Sequence, residues 1–170
     1  NHILASQNPE TGMTCYYVPL RSGSRKEYCT PTDSFWCCTG TGVENHAKYG
    51  DSIYFHEGDH TLYVNLFISS ELDWRAKGIK VRQETSLPEG QETKLTFTCD
   101  RPAQLTLKVR FPSWAKGGFR WWLNDQEQPC ELGRNLRPGT YVTLTREWKT
   151  GDTLAFWFDR TFETEGFHDN

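Results

Sequence analysis

The sequence predicts a mainly β protein, an antiparallel β-sandwich, on three observations. After about residue 60 apolar and polar residues alternate with period two, turn formers recur at short intervals, and no helical pattern separates the alternating runs. The clearest run is QLTLKVRF, where Leu105, Leu107, Val109 and Phe111 share one side and Thr106, Lys108 and Arg110 the other. A half-buried strand carries that pattern.

Taken in order, the chain opens with QNPETG and TCYYVPL, a turn followed by a short β-like run that Pro19 ends. RSGSRKEYCTPTD is then a polar loop. The spacing of Val43, Ala47, Gly50 and Ile53 or Tyr54 predicts one helix over 41–56, capped by Thr39 or Thr41 and packed against the sandwich. TLYVNLFI, GIKVRQET, KLTFTC, QLTLKVRF, FRWWLN, TYVTLT and TLAFWF follow as strands, punctuated by LPEG, FPSWAKGG, LNDQ, RPG and KTGD. These runs place the antiparallel sandwich within 61–163.

Composition narrows the function. Among 170 residues the net charge is -3 and the 19 basic residues are scattered, which argues against nucleic acid and anionic membrane as partners. Mean hydropathy is -0.71 with no apolar run long enough to span a bilayer, so no membrane partner is expected. Aromatics at 14%, with seven Trp, supply core bulk despite few Leu and Ile. The first residue is Asn1 and the sole methionine is Met13, so the chain reads as a piece of a longer polypeptide. Its compartment, cytoplasmic or periplasmic/extracellular, is not readable without a leader.

Of the six cysteines, Cys37 and Cys38 are adjacent; oxidising such a pair closes a strained ring, so both read as thiols. They sit where a Gly-containing turn enters a helix, and the helix dipole there favours thiolates over thiols. Two thiolates can reach one zinc ion at about 2.3 Å, but a site needs three or four ligands. The further candidates are scattered: Cys15, Glu27, Cys29, Glu44 and His46. The alternative reading of the pair is a buried apolar patch. Glu44 and His46, two apart, point to different faces of a helix and read as hydrogen-bond formers that anchor it. His56, His60 and His168 show no partner in the sequence. Trp74, Trp114, Trp121, Trp122, Trp148 and Trp157 read either as a sugar-stacking platform or as sandwich packing.

SFWCCTGTGVENHAKYGDSIYF closely resembles the signature of the β-L-arabinofuranosidase family, glycoside hydrolase family 127 and its relatives. The matching residues run from Asp33, Ser34, Phe35 and Trp36 through Cys37, Cys38, Thr39 and Gly40. They continue with Gly42, Glu44, Asn45, His46, Lys48, Tyr49, Gly50, Asp51 and Ser52. The similarity extends to QNPETG and YVPL upstream and to LYVNLFI, RFPSWAKG and GTYVTLTREWKTGDT downstream.

This resemblance implies that residues 1–58 close an (α/α)6 catalytic barrel and residues 59–170 form the β-sandwich beyond it, the rest of the barrel lying in a missing amino-terminal part of the same polypeptide. It implies a retaining, zinc-dependent glycosidase acting on a carbohydrate substrate, with β-L-arabinofuranosyl groups released. Cys37 is then a zinc-bound nucleophile and Cys38 a second zinc ligand. A thiolate would replace one of the two carboxylates that retaining enzymes usually hold about 5–5.5 Å apart. The remaining ligands, a Glu-x-Cys element, and the acid/base glutamate are expected upstream of Asn1, so the piece alone is expected to be inactive. Glu27-Tyr28-Cys29 repeats the Glu-x-Cys spacing by coincidence, in the wrong loop. Tyr16 aligns with an aromatic that lies near the sugar in the family; read from the residues alone, it is a strand tyrosine capping the core. A function of another class stays open, a noncatalytic sandwich that is structural or binds carbohydrate. A Glu-x-Cys on an upstream helical pattern separates the two.

Overall fold

The computed structural model describes residues 6–34, 36–116, 118–129, 137, 139–160 and 164, without the side chain of Cys38. By its internal packing the chain divides into two compact units, Asn1–Asp51 and Ser52–Asn170.

In the first unit the described residues include helix α1 (Cys37–Lys48). It starts earlier and ends sooner than the apolar spacing predicted. Thr39 and Thr41 lie inside it, and the N-cap is Trp36, without a side-chain cap. Thr41 instead bonds back to the Cys37 carbonyl at 3.4 Å, the alternative open to a threonine within a helix. After Lys48 the chain tightens into a 3-10 turn at Gly50–Ser52 and leaves the helical path. TCYYVPL forms no strand beyond a single antiparallel bridge between Cys15 and Tyr28.

The second unit is the sandwich. One sheet is ordered β1-β2-β6-β9 and comprises β1 (Tyr54–Glu57), β2 (Thr61–Val64), β6 (Ala103–Arg110) and β9 (Tyr141–Trp148). The other, ordered β3-β4-β5-β10-β7-β8, comprises β3 (Ser70–Trp74), β4 (Ile79–Thr85), β5 (Glu92–Cys99), β10 (Thr153–Phe158), β7 (Phe119–Leu123) and β8 (Gln126–Glu127).

The mainly β, antiparallel-rich sandwich is as expected, with one expectation corrected and one qualified. The end of the predicted helix is strand β1, where Tyr54 to Glu57 pair with Val64 to Thr61. Ile53, Tyr54 and Phe55 are β-formers beyond a glycine, and the Ile53 carbonyl already accepts Asn65 N–H at 2.8 Å. The sandwich is also not antiparallel throughout, because β2 pairs β6 in parallel. Between them the chain crosses to the other sheet for β3, β4 and β5 and returns in its original direction, which turn patterns alone do not disclose.

Alternation fills the core as expected. Leu105, Leu107, Val109 and Phe111 from one sheet meet Val81, Leu95, Phe97, Leu154 and Phe156 from the other. Trp148 is wholly buried, stacks on Phe97 at 4.1 Å between ring centres, and donates its indole N–H to the Leu105 carbonyl. The β9–β10 turn is held by buried Asp152, which accepts from Asn124 at 3.0 Å, Arg146 at 3.2 Å and the Lys149 amide at 3.0 Å. A carboxylate is tolerated in that position because its oxygens are satisfied by an ion pair and by amides.

Candidate functional site

The geometry around the Cys pair is built from three short segments of the first unit. QNPETG forms a turn in which Asn8 accepts the amides of Glu10 and Thr11, at 2.9 and 3.1 Å, while Gly12 supplies a φ of 74°. The chain then runs past residues 28–29, where the Cys29 amide donates to the Thr14 carbonyl at 2.8 Å. The Cys29 thiol is buried and turned inward, 3.3 Å from the Thr14 amide and 3.8 Å from the Met13 sulfur. Glu27, two residues away, is exposed. Cys15 is also buried, its thiol donating to the Tyr17 carbonyl at 2.6 Å.

This pinning delivers Tyr16 to the start of α1. Residue 16 lies in a bend, half-buried, rather than in a strand capping a core. Its ring centre is 6.0 Å from that of Trp36 and 4.4 Å from that of Tyr17, and its hydroxyl is 3.9 Å from the Cys37 sulfur. The proximity of Cys37, by hydrogen bond and by charge, pushes the Tyr16 phenol up to about 12. At neutral pH it is a hydroxyl, able to donate to an anionic sulfur.

Cys37 is the first residue of α1 and is exposed. The entry is shaped by Thr30, Asp33 and Ser34: Ser34 accepts the Thr30 amide at 3.0 Å, and Thr30 accepts the Asp33 amide at 2.9 Å. With no side-chain cap and no acidic residue in the first turn, the positive end of the helix is left to the thiol. Gly42 lets α1 lie against Thr14, since a Cβ there would meet Thr14 Cγ2 at 2.5 Å. Farther along, His46 bonds Gln7 at 3.0 Å and its ring neighbours that of Tyr49 at 5.6 Å, an anchoring role, while Glu44 is exposed.

The donors present suit zinc in kind but not in number. Cys37 offers an accessible soft sulfur, whereas the side chain of Cys38 lies outside the described atoms, and among the described residues no three His, Cys, Asp or Glu side chains gather as a metal group. His168 likewise lies outside the described residues. His56 donates from Nδ1 to the Gly58 carbonyl at 2.8 Å, and His60 lies 3.5 Å from Asp59. Trp36, beside Tyr16, is the aromatic the sequence did not single out; its adjacency to the Cys pair was the available signal.

The comparisons bear on both units. A family model described as the middle domain of the GH127 β-L-arabinofuranosidases matches residues 61–160. A second, described as their catalytic domain, matches residues 1–51. Among solved structures, a GH127 β-L-arabinofuranosidase from Geobacillus stearothermophilus T6 superposes with a TM-score of 0.62 at 25% identity, over 72% of this chain and 19% of that one. A GH127 β-arabinofuranosidase gives 0.60 at 26% identity, over 72% and 21%. A protein described as a glycoside hydrolase shares the fold at 0.72 and 20% identity, over 94% and 27%. The chain thus spans 19% to 27% of the length of these structures. No curated protein matches.

Proposed function

The chain belongs to the β-L-arabinofuranosidase family, glycoside hydrolase family 127, and from that membership we propose that it is the thiol-bearing part of a retaining glycoside hydrolase that releases β-L-arabinofuranosyl groups, with Cys37 as nucleophile. One observation carries the assignment of the nucleophile. Cys37 is an exposed thiol on the uncapped first turn of a helix, 3.9 Å from a tyrosine hydroxyl, within the segment that the catalytic-domain model matches.

The Cys37 sulfur attacks the anomeric carbon, forming a C–S bond as the glycosidic C–O bond breaks. The departing oxygen takes its proton from a carboxylic acid contributed by the amino-terminal part of the barrel in the same polypeptide. Water then displaces the sulfur with its proton taken by the same carboxylate, and two inversions return the original configuration. Tyr16, protonated at neutral pH, lies 3.9 Å from the Cys37 sulfur, which as a thiol donates to it and as a thiolate would accept from it, while Trp36 and Tyr16 offer ring faces to the sugar. Zinc, held by Cys37 and Cys38 with further ligands from that same amino-terminal part, would keep the thiols deprotonated at neutral pH.

The test uses the complete enzyme, with metal content and rate measured together. Cys37→Ser is expected to abolish turnover of an aryl arabinofuranoside, since a serine hydroxyl is a poor substitute as nucleophile and as soft ligand. Cys38→Ser is expected to lower zinc content and rate together. Near-normal turnover by Cys37→Ser with zinc still bound would remove Cys37 from the role of nucleophile.

A further inference from the structure

Of the tryptophans on the sandwich, Trp121 and Trp148 are buried, but Trp122 and Trp157 lie half-buried on the outer face of the six-stranded sheet. The register sets them diagonally across β10 and β7. Trp157 stands opposite Arg120, and Trp122 opposite Ala155. The Arg120 guanidinium lies 5.9 Å from the ring centre of Trp122 and 5.4 Å from that of Trp157, which holds the two indoles in place.

On the next strand the same rows continue as Glu92 opposite Trp157 and Lys94 opposite Ala155. Those two residues form one wall of an open groove of about 650 Å³ that extends over β4 and β3, where Glu71, Arg82, Glu84 and the Ser69 hydroxyl line it. From β4 to β7 the platform crosses three strand spacings, about 14 Å, room for an oligomer rather than a single ring.

We propose that this outer face, groove and tryptophan pair together, binds a neutral oligosaccharide. Carboxylates and cations interleave across it, as in the Arg82–Glu84 pair at 3.1 Å and Lys94–Asp125 at 3.4 Å, so it presents no single-sign field to a polyanion. A saccharide suits that surface. Its hydroxyls both donate to carboxylates and accept from guanidinium and ammonium groups, and its apolar C–H faces suit indole. Ala155 leaves a low place between the indoles and Lys94 in which a ring can sit. The inference stands apart from the thiol chemistry, since every residue it uses belongs to the second unit.

Calorimetric titration with arabino-oligosaccharides, with cello-oligosaccharides as a second neutral probe and polygalacturonate as a polyanion, tests it on the intact protein and on its Cys37→Ala form. Binding of a neutral oligosaccharide is expected in both. Trp122→Ala and Trp157→Ala are expected to weaken it about tenfold each while keeping the far-ultraviolet spectrum. Should either fail to fold, Lys94→Glu on the groove wall provides the same reading, with weakened binding expected. The proposal is overturned if no neutral probe binds, if polygalacturonate binds more tightly than both, or if the folded variants bind as well as the parent. A change of oligomeric state on Trp157→Ala, with saccharide binding untouched, would reassign the face to contact between copies.

Discussion

Tyr16 and Cys37 stand 21 residues apart in the chain, yet the phenol proton is governed by the sulfur. The consequence is measurable. Spectroscopic titration should find one tyrosine ionising near 12, absent in Tyr16→Phe, and in Cys37→Ser its midpoint should fall back toward 10.0. If the midpoint stayed put in Cys37→Ser, the sulfur would not be its cause. The linkage has a definite sign. A phenol that holds its proton more tightly folded than unfolded contributes stability that is complete below the ordinary tyrosine range and lost as pH rises through about 12. The effect therefore bears on alkaline tolerance, not on neutral pH. This contact was not legible in the sequence beyond the resemblance that put Tyr16 near the sugar, because it arises from the pairing of residues 14–15 with 28–29, and nothing in a polar loop's composition specifies its partner.

At the scale of elements, the strands that could be read were those buried on one face only. In β6 and β10 every second side chain enters the core, so the alternation is explicit in the residues. Strand β3 was missed because SELDW sits at the edge of its sheet, where Leu72 and Trp74 are half-buried and the rest is polar. Helix α1 was displaced by four residues at its start because it lacks the side-chain cap that sequence rules seek. Its composition, CCTGTGVENHAK, includes two glycines and two threonines, so intrinsic propensity does little to hold it. Contact with Thr14 at Gly42 is what fixes its first turns. Gly42→Ala gains helix propensity, yet in the intact protein should destabilise the packing of α1 by about 1–3 kcal/mol through the clash with Thr14 Cγ2. Thr14→Ser, which removes that methyl, should restore part of the loss in the double variant. A stabilised Gly42→Ala protein in chemical denaturation would show that the helix stands clear of Thr14.

At the scale of the whole molecule, the two units differ in what holds them. Ser52–Asn170 contains a core of both sheets in which Trp148, Phe97, Phe156 and several leucines are fully buried. In Asn1–Asp51 the buried residues are small, Thr14, Cys15 and Cys29 among those described, while Tyr17, Leu20, Trp36 and Val43 face outward. Hydrophobic burial scales with apolar area removed from water, so cooperativity belongs to the sandwich. A chain of residues 52–170 is therefore expected to unfold in one transition with a strand-rich far-ultraviolet spectrum, and a chain of residues 1–51 to give no cooperative transition. Trp148→Ala in the first of these should cost about 3–5 kcal/mol, since it empties the space against Phe97 and leaves the Leu105 carbonyl without its indole donor. Thr14, Gly42 and Cys37 then owe their geometry to local hydrogen bonds and the close approach at Gly42 rather than to a core of their own. A cooperative, independently folded 1–51 would show instead that the thiol site carries its own stability, and that the uncapped α1 is sufficient by itself to present Cys37.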